Sequence, residues 1–164
     1  MDNLVAWCQW LEHTHIATQI RESLWVFPAI ESSHLLAMIV FVGSIASLDL
    51  RLLGLAWKSE RVSQLTARLL PWSLAGFFAM ALTGALLFIS NAAKLYVNNT
   101  MFQIKLGLIV LAGLNALAFH FTIYRRVSSW DLSPVTPLHA RLAGAASLLL
   151  WIGVVIAGRW TGFV

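Results

Sequence analysis

The chain has 164 residues, 59% of them hydrophobic and only 11% charged, about half the charged fraction of a soluble domain. Its net charge of +4 needs no nucleic-acid partner, because basic loops on a membrane protein account for it. Four apolar stretches approach the roughly 20 residues that a bilayer demands, and almost nothing is left to build a separate soluble domain. The expected fold is all-α and integral to the membrane: a four-transmembrane-helix bundle, read as a single membrane domain over 1–164.

Residues 1–25 do not read as a conventional signal peptide, since they lack a basic start and Glu12 interrupts the apolar run. Leu4, Trp7, Cys8, Leu11 and His15 recur at helical spacing, with Asp2, Gln9, Glu12 and Gln19 elsewhere on the wheel. Together with Trp10 and Trp25, this predicts an N-terminal amphipathic helix lying in the membrane interface. The lone Cys8 offers no intrachain disulfide. Pro28 permits a turn into the first span, expected over 29–55 although Glu31 and Asp49 shorten its uncharged part. The second span, 71–90, carries no charge. The third is expected over 101–124, and the fourth over 139–159 after a turn at Pro134 and Pro137.

Charge sets the expected orientation. Arg51, Lys58, Arg61 and Arg68 lie between the first two spans, and Arg125, Arg126 and Arg141 between the last two. Only Arg21, Lys94, Lys105 and Arg159 fall on the opposite side. The positive-inside rule places the two basic loops in the cytoplasm and both termini outside, in the periplasm if the membrane is a bacterial inner membrane.

Three histidines, His34, His120 and His139, fall inside or at the lip of apolar helices. Ionisable groups at membrane depth are costly and mark functional pathways, and neutral imidazole is the commonest metal and heme ligand. His120 and His139 are expected at similar depth on consecutive antiparallel helices, where facing imidazoles can hold one b-type heme. His34 lies about 8 Å below the outer edge and about 20 Å from that pair, so it belongs to a second, outer site completed by His13 or His15. Lys105 and Arg159 at the outer end, and Arg141 at the inner end, suit heme propionates. His139 also reads as a capping residue, and His13 and His15 as solvated interfacial side chains. Pairs of small residues (Gly43 and Ser47, Gly76 and Gly84, Gly107 and Gly113, Gly144 and Gly153) suit close helix packing. Asn115, mid-helix, is read either as orienting a side chain or as bonding a neighbouring helix, and Asp49 with Arg51 as a local ion pair.

The run HLLAMIVFVGSIASLDLRLLG, starting at His34, resembles the first helix of the HemJ-type protoporphyrinogen IX oxidases. That pattern is a histidine, an apolar stretch with a small-residue turn, then an arginine before the loop. The run FQIKLGLIVLAGLNALAFHFTIYRR, starting at Phe102, resembles their third helix, a lysine-leucine pair followed by a histidine and basic residues. The copper-resistance D membrane domain and several uncharacterised four-helix families share this architecture. The resemblance implies a membrane-embedded heme b and redox chemistry, and it nominates His34, Lys105, His120 and Arg51. The chain departs from the pattern at Asp49, where those oxidases carry a neutral residue or proline, and in its N-terminal segment. It looks closer to the uncharacterised relatives than to the named enzyme.

The resulting expectation is a b-type cytochrome with one or two hemes, transferring electrons to or from the quinone pool. His34 and His120 would be axial ligands, with His139 the same-depth partner. The alternatives are a porphyrinogen oxidase of the HemJ kind, a copper-transport protein, or a cofactor-free subunit of a larger membrane complex. Copper transport should stack methionines or histidines along one pore, and Met38, Met80 and Met101 do not form such a ladder. Lipid, a quinone or redox protein, and further copies of the chain are the expected partners.

Overall fold

The structure, a computed structural model, describes every residue except Met1, Lys94, 96–98, Leu132, Pro134 and Val164, with backbone alone for Asp2, Asn3 and Leu4. The expected outer charge Lys94, the turn at Pro134, and the wheel positions of the Asp2 and Leu4 side chains therefore lie outside the described residues. Among the described residues, six α-helices run in order: α1 (Asp2–Glu12), α2 (His15–Glu22), α3 (Val26–Leu52), α4 (Val62–Ser90), α5 (Thr100–Ala118) and α6 (Leu138–Trp160). A π turn (Phe119–Ile123) and a 3-10 turn (Tyr124–Ser129) continue α5. Four helices are long and apolar enough to cross a bilayer: Val26–Leu52, Val62–Ser90, Thr100–Ser129 and Leu138–Trp160. The chain is thus an all-helical, multi-pass membrane protein.

Two boundaries differ from the expectation. The interfacial segment is two helices, because Thr14 stops the first and starts the second: its hydroxyl donates to the Leu11 carbonyl and accepts from the Ala17 amide. The second span begins at Val62, with Pro71 inside it. Proline costs one backbone hydrogen bond but is tolerated in membrane helices, where local adjustment re-satisfies the freed carbonyl. Arg68 consequently sits on α4 and pairs with Glu60 at 3.4 Å, so it is a helix residue and not a loop charge.

The helices alternate in direction. The end carrying the start of α3 and the finish of α6 is called here the termini end, and the other, with the arginine-bearing connections, the basic end. α3 and α6 are central; α4 packs on α3, α5 packs on α6, and α4 meets α5 where Phe88 stacks on Phe102 with centroids 5.4 Å apart. Lipid tails are as apolar as the side chains, so close packing, and not water exclusion, must hold such helices together. Gly76 does this for α3 and α4: a Cβ there would lie 2.8 Å from the Phe41 amide nitrogen and 3.1 Å from the Ala37 carbonyl. At mid-depth Phe41 meets Trp151 edge-on, with centroids 4.7 Å apart, and Ala112, Val154 and Met80 close around them.

Both ends are pinned by polar contacts. At the termini end the Arg21 guanidinium donates to the Ser90 carbonyl at 3.3 Å, a cation placed where the α4 macrodipole favours one. The Ala93 amide donates to Glu12, and Asn99 donates to the Thr161 carbonyl. At the basic end Asp131 caps α4 from across the bundle, accepting from the Ser63 amide at 2.8 Å and the Ser63 hydroxyl at 2.6 Å. Burial alone would raise the Asp131 carboxyl, but the two Ser63 donors and the nearby Arg61 and Arg51 outweigh it and hold it below the usual range. Arg51 is buried and donates to the Glu60 carbonyl at 2.8 Å and to Thr136 at 3.5 Å.

The expected Asp49–Arg51 pair is not formed. Residues two apart on a helix do not face each other, and the carboxylate within electrostatic range of Arg51 is Asp131. Asn115 does bond a neighbouring helix, donating to the Ala143 carbonyl at 3.0 Å.

Candidate functional site

His34 lies eight residues into α3, about 12 Å along its axis, and is half-buried against α4. Its Nδ1 is 2.9 Å from the Thr83 hydroxyl oxygen. That hydroxyl has a single proton, which goes to the Ala79 carbonyl at 2.7 Å. Thr83 therefore accepts from His34, so the hydrogen-bond network assigns the proton to Nδ1 and leaves the Nε2 lone pair available. A second shell that fixes the other ring nitrogen is the usual way of orienting a metal-ligating histidine.

Gly84 supplies the space for the ring. A Cβ at this position would stand 3.1 Å from His34 Cε1 and 3.6 Å from Nδ1, tighter than an ordinary carbon contact. The Met80 carbonyl, one turn earlier on the same face of α4, also lies beside the imidazole.

Lys105 of α5 completes the cluster. Its alkyl stem lies on Gly158 of α6, where a Cβ would be 3.6 Å from both Cε and Nζ. Its ammonium is within electrostatic range of His34. No carboxylate pairs with it among the described residues. An unpaired cation beside a neutral imidazole suits an anionic group, a propionate or another carboxylate, better than a second cation.

The other candidate residues are dispersed. Arg159, at the same end, is exposed with its guanidinium 5.1 Å over the Phe163 ring. His13 and His15 flank the break between α1 and α2, both exposed. At the basic end His120 sits in the π turn and is exposed, stacked on Tyr124 at 5.6 Å and edge-on to Phe121 at 5.4 Å. His139 and Arg141, in the first turn of α6, are exposed too. No group of three or more His, Cys, Asp or Glu side chains suited to a metal ion exists among the described residues. The structure thus brings His34 and Lys105 together. It gives His120 and His139 no contact with each other among the described residues.

Sequence reasoning passed over Thr83, whose signal was a hydroxyl in an otherwise apolar span, and treated Gly84 only as a packing residue. The side chains at His34 fit the implied heme in kind: an imidazole tethered through Nδ1 would hold its iron, and Lys105 would pair with a propionate. No second histidine held by a side-chain hydrogen bond stands beside His34 among the described residues.

Fold and site together define a membrane protein with four candidate spans and, among the described residues, a hydrogen-bonded imidazole, His34, beside a cation, Lys105, that no carboxylate pairs. The chain belongs to a family of unknown function (DUF6644), whose model matches residues 10–164. No curated protein and no solved structure matches it.

Proposed function

We propose that this protein is a membrane-embedded b-type cytochrome that takes part in electron transfer linked to the quinone pool, set in a bacterial inner membrane with both termini periplasmic. The observation that carries the reading is the His34–Thr83–Ala79 relay, which turns an intramembrane histidine into a ready Nε2 ligand. A structural histidine would serve equally well with either nitrogen bonded, and would not need Gly84 to clear its ring.

Bound there, heme b supplies a one-electron couple. The chain's own residues do the rest. Thr83 holds the ring by Nδ1 and keeps it in one tautomer. Gly84 fixes the depth to which the ring can settle against α4. Lys105 offsets negative charge at the site. The apolar surroundings keep water out, and a low local dielectric strengthens each of these interactions.

Purified protein from heme-replete cells should show a reduced-minus-oxidised b-type spectrum, with about one heme per chain by pyridine hemochrome assay. A colourless, folded preparation would refute the reading and leave the His34–Thr83 bond as a tie between helices.

A further inference from the structure

One side of the α3–α4 contact is left unfilled. Ile39, Gly43, Ser44 and Ser47 of α3, with Leu69 and Trp72 of α4, line an open groove of about 340 Å³. Gly43 widens it, since a Cβ there would meet nothing within 4 Å. The Ser44 and Ser47 hydroxyls donate to the Val40 and Gly43 carbonyls of their own helix at 2.7 and 2.8 Å. With those protons engaged, the α3 wall offers no side-chain donor and suits a methylene chain. Because α3 and α4 run antiparallel, the groove leads from Ser47 and Leu69, near the basic end, past Gly43 and Trp72 to Ile39 deeper in the membrane.

Positive charge stands at the shallow end of this groove. Arg68 lies one turn toward the basic end from Trp72 on the same face of α4, with its side chain 62% exposed. Its ion pair reaches Glu60 through one guanidinium nitrogen at 3.4 Å, which leaves most of the five donors for another acceptor. Lys58, two residues before Glu60, is exposed and has no carboxylate partner among the described residues. The other carboxyls at this end do not compensate these cations: Asp131 is held by Ser63, and Asp49 is buried. Lysine and arginine at a membrane surface attract anionic headgroups, and the arginine fork matches a phosphate. A tryptophan one turn below, 63% exposed, is the side chain favoured at the level where headgroup meets chain.

We propose that the α3–α4 groove holds an acyl chain of an anionic phospholipid whose phosphate rests on Arg68 and Lys58. Gly43 and Ser47 are small enough to admit another helix as well. A second copy of the chain is the poorer occupant, because a two-fold axis along the membrane normal sets the two basic ends side by side. Arg68 and Lys58 of each copy would then face their own kind near a low-dielectric interior. A lipid brings the opposite charge to the same place. The proposal does not depend on the cytochrome reading.

The test uses the purified full chain in phosphatidylcholine vesicles containing a brominated-chain phosphatidylglycerol or, separately, a brominated-chain phosphatidylcholine. Bromine quenches a nearby indole, and the Trp72 share is the difference from Trp72→Phe; no step reads heme. Each cation that meets the phosphate should favour phosphatidylglycerol over phosphatidylcholine at Trp72 by about 5-fold. That preference should vanish in the Lys58→Gln, Arg68→Gln double variant and in Gly43→Leu, which fills the groove. Equal quenching by the two brominated lipids overturns the proposal. So does a preference that survives loss of both cations, or one that survives Gly43→Leu and so marks a diffuse surface attraction. Self-association that shields Trp72 from both lipids overturns it too, in favour of a second copy. Should Gly43→Leu not reconstitute, Ser47→Leu in the same wall decides.

Discussion

Replacing Thr83 by Val removes one oxygen from the site and almost no volume. In the native arrangement Nδ1–H of His34 donates to that oxygen at 2.9 Å; in the variant the donor faces a methyl group. Leaving a buried donor unsatisfied costs about 1–3 kcal/mol. Loss of the group that orients a ligating histidine typically weakens metal affinity by about 10–100-fold, the same range, since each tenfold is about 1.4 kcal/mol. Two features of this site favour the lower half: the ring is only half-buried, and the Met80 carbonyl beside it can accept the freed proton. We therefore expect heme affinity to fall by about 10-fold, with Thr83→Ser restoring most of it. Heme titration of apo-protein by difference absorption measures the affinity. Nitrogen NMR of 15N-histidine-labelled protein reports the tautomer, with Nδ1 protonated in the wild type and mixed in Thr83→Val. A folded Thr83→Val protein with wild-type affinity and an unchanged tautomer would refute the assignment of Thr83 as the orienting group.

The two α3-facing and lipid-facing glycines give an internal contrast. Gly76→Ala places a methyl 2.8 Å from the Phe41 backbone nitrogen and should destabilise by about 1–3 kcal/mol. Gly43→Ala meets nothing within 4 Å and should be neutral or stabilising by up to about 1 kcal/mol; denaturation in mixed micelles compares them, and equal effects would contradict the packing described. Asp131→Ala, which removes both oxygens that accept from Ser63, should lower stability by about 0.5–2 kcal/mol, as loss of a helix cap does. Because the folded carboxyl is held below its usual value, the contribution of Asp131 is present above the unfolded value of about 3.9 and lost as pH falls through the folded one. The stability gap between wild type and Asp131→Ala should therefore be constant near neutrality and narrow only in acid; a gap that narrows near pH 6 would contradict this. His120→Ala should leave heme stoichiometry unchanged, since His120 and His139 are both exposed, and a halved heme content would show that the basic end holds a second heme.

Much of the architecture was legible because membrane-spanning helices need length and apolarity, and both are written in composition. Boundaries were less so. Arg61 and Arg68 suggested a loop up to Pro71, but a helix can carry arginines on its exposed turns near a membrane face, and Pro71 is accommodated inside α4. His34 and Lys105 were readable as costly residues among apolar ones. Their proximity depends on α3 and α5 both meeting α6 and α4, which spacing alone does not reveal. Thr83 and Gly84 were invisible as site residues because they act on a side chain 49 positions away in sequence. Asp49 was misjudged for a local reason: opposite charges two residues apart look paired on the page, although helical geometry turns them apart.

The most direct measurement replaces His34 by glycine and supplies the imidazole from solution. Gly84 already leaves room on the facing helix, so the resulting cavity can admit free imidazole. The account predicts that His34→Gly loses the reduced b-type absorption bands and regains them when imidazole is added. Bands at wild-type strength in His34→Gly without imidazole would contradict it.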